Sequence, residues 1–249
     1  MDIQRYNRQE KLKYLQGSGQ KKLFAASILL VGAGGLGCSV LQGLAGAGIG
    51  RIGIMDHDRI TLNNLNRQFL YTPADIGRWK TEVAAAWLAR FSPGIQSEVY
   101  TYRLTRANAD LAEEFDLVIA AVDNLETRLL LNEACVRRNI PLIDGGINGW
   151  GGCLFYVKQA GGPCLACLYP QAMENDREPA AFGTMAGMIG MAQAQMAVLA
   201  LTGHTEGFEG KYIWFDGVNM EFHHTIIQPQ SGCVVCGGHA QKQAGNESN

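Results

Sequence analysis

The chain has 249 residues, 47% of them hydrophobic and 18% charged, with a formal net charge of −2. That length allows one large domain or two small ones with a substantial core, and the composition excludes a disordered or fibrous chain. The slightly acidic balance gives no electrostatic footprint for nucleic acid as a partner.

The opening stretch MDIQRYNRQEKLK is polar and charged, so no secretion signal is expected there. Strands are predicted at 27–32, 51–56, 95–103, 115–122 and 140–144, alternating with helical patterns at 35–48, 78–91, 106–113 and 125–138. This rhythm, with runs such as DLVIAAV apolar throughout, predicts an α/β fold: a Rossmann-like, doubly wound, mainly parallel sheet. After about residue 148 the rhythm changes. WGGCLFYV, KYIWFD and EFHHTIIQ read as strands with no helix between the last two, which predicts an antiparallel C-terminal extension. The segment 181–203 is uncharged and long enough for a bilayer, yet it holds Gly183, Gly187, Gly190, Gln193 and Gln195 without basic flanks. It reads as a buried helix, and no membrane partner is expected. The organisation expected is a single domain over 1–240, in two halves (1–148 and 149–240), with a disordered tail at 241–249.

Gly32, Gly34 and Gly37 match G-x-G-x-x-G, with Gly35 added, between a strand and a helix. Glycine there lets backbone approach a phosphate, and the helix N-terminus supplies free N–H groups. Asp56, at the end of the next strand, is placed for ribose hydroxyls. The motif says nucleotide without saying which. Downstream, Asn64, Arg67 and Gln68 crowd one loop, and Arg78 and Lys80 open the next helix. Cations in a first helical turn oppose the macrodipole, so the group predicts a bound anion. Asp123 and Asn124 follow a buried strand on the same edge, where Asp123 suits Mg²⁺ and either residue could cap the helix that follows. Several cations with one carboxylate suit a metal-bound triphosphate better than a dinucleotide.

The seven cysteines include two Cys-x-x-Cys pairs, Cys164/Cys167 and Cys233/Cys236. An odd count with such pairs fits a reducing cytoplasm. The pairs suit a structural zinc site of four cysteines, with redox cysteines or a coincidental spacing as the alternatives at this wide separation.

RYNRQ at 5–9, VGAGGLG at 31–37, DHD at 56–58, NNLNRQ at 63–68, DIGRWK at 75–80, VDN at 122–124 and the two cysteine pairs occur in one order. Over residues 3 to 238 the chain resembles the bacterial ThiF/MoeB/HesA family, relatives of the ubiquitin-activating enzymes. The resemblance implies a homodimeric adenylyltransferase. Such an enzyme uses Mg-ATP to activate the C-terminal Gly-Gly carboxylate of a ubiquitin-like sulfur carrier, in thiamin or molybdenum-cofactor synthesis. It places Asp56 on the ribose, Asn64, Arg67 and Lys80 around the phosphates, Asp123 on Mg²⁺, Arg8 in the neighbouring subunit's phosphate site, and zinc on the four cysteines. The attacking carboxylate is already ionised at neutral pH, so no general base is required.

The chain departs from some members in one respect. The loop LYPQAMENDREPAAFGTMAG, after the first cysteine pair, contains no cysteine. The expectation is an enzyme that stops at the acyl-adenylate, with sulfur delivered by a separate donor protein. The other readings weighed are a peptide-modifying adenylating enzyme, an NAD(P)-dependent oxidoreductase and a non-catalytic nucleotide-binding dimer.

Overall fold

The run SILLV is buried at every position and forms the strand around which the sheet is built, β1 (Ser27–Val31). The computed structural model describes residues 3–158, 161–170 and 180–237. A short helix α1 (Gly19–Ala25) precedes β1, and α2 (Gly35–Ala47), β2 (Arg51–Met55), α3 (Lys80–Phe91), β3 (Gln96–Tyr100) and β4 (Leu117–Ala120) follow it. The rest of the chain forms α4 (Leu125–Arg138), β5 (Leu142–Asn148), β6 (Gly151–Val157), α5 (Leu165–Leu168), α6 (Gly183–Thr202), β7 (Lys211–Asp216) and β8 (Glu221–Ile226).

All eight strands form one sheet in the order β3-β2-β1-β4-β5-β6-β7-β8. The first five run parallel, whereas β6, β7 and β8 pair antiparallel. Strand order reverses between β1 and β4, and ligands of doubly wound sheets bind at such a switch point, outside the carboxyl ends of the strands. Alternate residues of β1 face opposite cores. Ile28 and Leu30 join the layer of α2, α3 and α6, while Leu29 and Val31 join the layer of α4 and the cysteine-bearing segments. A parallel sheet needs this cover on both faces, which is why its strands are apolar throughout.

Helix α6 is long and apolar enough to cross a membrane by length and composition. It packs instead on α2, β5 and β6. Gly43, Gly190 and Gly152 permit that packing, since a Cβ at each would lie within 2.6 Å of Ala194 Cβ, Leu36 O or Ile189 Cγ1.

The helix expected at 106–113 is a 3-10 helix, Ala109–Glu114. Only a few residues separate the turn closed by Asn108, whose Oδ1 accepts the Thr105 N–H, from the next strand, too few to propagate an α-helix. Helix α1 has only seven residues, too few to carry a periodic signal in the sequence; burial of Leu23 holds it. The segment 241–249 lies outside the described residues.

Candidate functional site

The turn after β1 is tight. Gly32 has φ +98°, and a Cβ on it would sit 2.4 Å from Ala121 O; one on Gly37 would sit 2.0 Å from Gly32 O. Both glycines are therefore demanded by the protein's own packing. Gly35 is demanded by Ala186 of α6, 2.9 Å away by the same measure. Gly34 differs, because a Cβ there meets nothing closer than Gln68 Nε2 at 3.7 Å. Its φ of −81° would also accept a side chain. The space over Gly34 is left open at the mouth of a helix N-terminus, where a phosphate would lie.

Asp56, at the end of β2, anchors this turn. Its Oδ2 accepts the Ala33 N–H at 2.7 Å and its Oδ1 the Asp58 N–H at 2.8 Å. The buried Tyr71 hydroxyl donates to Ala33 O at 2.7 Å and lies 3.3 Å from Lys80 O, tying the start of α3 to the glycine turn. Lys80 is itself buried, at 6% exposure. Its Nζ lies 2.9 Å from Asp58 Oδ2. Burial alone would raise the Asp58 carboxyl, but the Lys80 hydrogen bond and charge outweigh it and hold the group below the usual carboxylate range.

The loop 64–68 closes the other side. Asn64 is buried and its side chain completes the turn begun at Thr61. The Arg67 stem lies over Gly35 while its Nη1 donates to Asn63 O at 2.8 Å and Asn66 Oδ1 at 3.0 Å. Gln68 is 3% exposed and its Oε1 has no partner among the described residues. Across the switch point, Asp123 is exposed, and Asn124 caps α4 by accepting the Thr127 N–H at 2.9 Å.

Arg78 lies before the helix rather than in its first turn and pairs with Asp75 at 2.9 Å. Arg8 is exposed, and the neighbouring Gln9 donates to Ala47 O at the far end of α2. A thirteen-residue helix separates that end from the glycine turn by about 20 Å. Within one chain Arg8 is not at the nucleotide edge.

Three contributors lie beyond the site residues expected from the sequence. These are Asp58, the last residue of the DHD stretch, as the partner of Lys80, Tyr71 as the brace of the turn, and Arg103, whose Nη2 reaches His57 Nε2 at 3.1 Å. Arg103, Leu104, Leu125 and Leu129 line a cleft of about 1010 Å³ that runs from this edge to the second cysteine pair.

Cys164, Cys167, Cys233 and Cys236 converge, with every pair of sulfurs within 4.8 Å. Cys164 and Cys233 Sγ are 3.8 Å apart, Cys167 and Cys236 Sγ 3.3 Å. Four thiolates about 2.3 Å from one ion would stand about 3.8 Å apart, so the cluster could hold a metal. The remaining cysteines are poor nucleophiles. Burial pushes the Cys38 and Cys135 thiols up to about 12 and raises that of Cys153.

One family description, the ThiF family, matches residues 6–235 of the chain, a span that includes the glycine turn, the Asp56 loop, Lys80 and Asp123. The chain belongs to the ThiF family. It is 37% identical over 244 residues to the sulfur carrier protein ThiS adenylyltransferase of Escherichia coli, covering 95% of this chain and 96% of that protein. It is 38% identical over 242 residues to the adenylyltransferase and sulfurtransferase MOCS3 of Anopheles gambiae. That match covers 94% of this chain but 55% of the mosquito protein, so the chain spans about half the length of such relatives. Among solved structures, E. coli MccB with ATP shares the fold, with a TM-score of 0.83 at 24% identity over 94% of this chain and 74% of that one.

Proposed function

We propose that this chain is an ATP-dependent adenylyltransferase acting on the C-terminal carboxylate of a small ubiquitin-like sulfur carrier. The observation that carries the reading is the open space over Gly34 at the sheet's switch point, where the nearest side-chain atom is Gln68 Nε2, in a turn flanked by Gly35 against Arg67 and braced through Tyr71 to the start of the helix that Lys80 opens. ATP would place its phosphates over Gly34, its ribose at Asp56 and its base toward Leu104 and Leu125. The carrier's carboxylate oxygen would attack the α-phosphorus as the bond to the pyrophosphate breaks, giving an acyl-adenylate and free pyrophosphate with no proton to move. Lys80 and Arg67 would neutralise charge gathering on the leaving pyrophosphate.

Asp123 is the residue that would hold Mg²⁺. One exposed carboxylate plus phosphate oxygens and water is a donor set that ion accepts. The four cysteines would hold zinc, whose closed four-sulfur shell supplies structure rather than chemistry. Arg8, remote from its own chain's site, suits a homodimer in which it completes the neighbour's. With Cys38, Cys135 and Cys153 buried or half-buried and protonated, a separate protein would supply sulfur. The test is carrier-dependent ATP–pyrophosphate exchange with purified ThiS- and MoaD-type carriers. Exchange with one carrier supports the reading and names the pathway; tight ATP binding without exchange on any of them would sink it.

A further inference from the structure

Helix α4 begins at the nucleotide edge and, two turns later, reaches the cysteine cluster. Asn132 stands at that point, fully buried. Its Oδ1 accepts the Leu165 N–H at 2.9 Å, which fixes the chain immediately after Cys164. That bond also sets the amide's orientation, since a flipped side chain would bring two donors together. The Nδ2 then has no hydrogen-bond partner among the described residues, and the bond to Leu165 holds the amide beside the residue that follows Cys164. A donor buried beside a neutral thiol finds a poor acceptor, and buried donors are rarely left so. A metal-bound thiolate is a charged acceptor and would satisfy it.

We propose that Asn132 is a positioning residue of the metal centre: its Nδ2 donates to the Cys164 thiolate, orients that ligand and fastens the centre to α4. The inference rests on the reading of the four cysteines as a metal site. A second donor already shows the pattern, because the Gln230 backbone N–H points at Cys167 Sγ at 3.4 Å. Gln230 Nε2 also donates to Cys167 O at 3.0 Å, holding the second cysteine pair against the first.

Asn132→Asp separates the two halves of the amide, since it keeps an acceptor for Leu165 and replaces the donor with an oxygen. In the full chain, zinc affinity measured by competition with a chromophoric chelator is expected to fall on the order of 10–100-fold. The sulfur-to-metal charge-transfer band of the cobalt-loaded variant should shift, with the far-UV circular dichroism unchanged. Wild-type affinity and spectrum in the variant would overturn the role of Asn132 while leaving the metal centre standing. An unmutated protein that takes up no metal would overturn the centre and this inference together. If the variant does not fold, the unmutated protein loaded with ¹¹³Cd decides. Coupling from the metal to an Asn132 side-chain amide proton is expected beside the coupling to the Gln230 N–H, and the second without the first would overturn the proposal.

Discussion

Lys80 is held twice by Asp58: its Nζ lies 2.9 Å from the carboxylate Oδ2 and its backbone N–H donates to the Asp58 carbonyl at 3.1 Å. A cation at the first position of a helix and 6% exposed would be unfavourable alone. The pair holds it in place at the edge where an anion is expected. Substituting Lys80→Ala or Asp123→Ala should lower ATP–pyrophosphate exchange by about 10²–10³-fold without loss of fold, read by exchange assay and circular dichroism. Full exchange in either variant would remove that residue from the proposed chemistry.

Asp58 also predicts a pH dependence. Its folded carboxyl lies below the unfolded value of about 3.9, so its contribution to stability is fully present above that value. The contribution is lost as pH falls through the folded value. Urea unfolding of the wild type and Asp58→Asn should therefore differ by a constant amount between pH 6 and 8, and the gap should close in acid. A gap that widened toward low pH would contradict the pairing.

The glycine turn separates packing from binding. Gly34→Ala should change stability by less than about 1 kcal/mol, because the space is open and φ is ordinary. It should weaken ATP binding at least tenfold, measured by calorimetry. Gly32→Ala, at φ +98° and against Ala121 O, should cost several kcal/mol, on the scale of a strained backbone plus a core clash. Equal effects of the two substitutions on stability would remove the case for a phosphate over Gly34.

Arg8 gives a mixing experiment. Arg8→Ala and Lys80→Ala should each be inactive in exchange. Unfolded together and refolded, half the dimers are mixed and carry one intact site of two, so roughly a quarter of wild-type activity should return. No recovery would confine Arg8 to its own chain.

Metal removal tests the cysteine cluster. Cys236→Ser, or chelation of the wild type, should lower the melting midpoint by about 5–10 °C, the shift that a loss of about 2–3 kcal/mol gives a domain of this size. An apo-protein equally stable but inactive would assign the cluster to chemistry.

What the sequence determined by itself is local. The glycine spacing, the apolar strands, the cysteine pairs and the change of rhythm after residue 148 are short-range patterns, and each survives in the fold because backbone geometry at a turn or strand is set within a few residues. The tertiary structure alone decided the long-range charge pairs. Arg78 pairs with Asp75 three residues back, a contact within one turn, whereas Lys80, two residues on, pairs with Asp58 twenty-two residues away. Arg8 was fixed at the far end of α2 and Asn132 beside Leu165 only by the packing of helices on the sheet. Contacts of that range depend on strand order and on which face of a helix is covered, and no local periodicity encodes either.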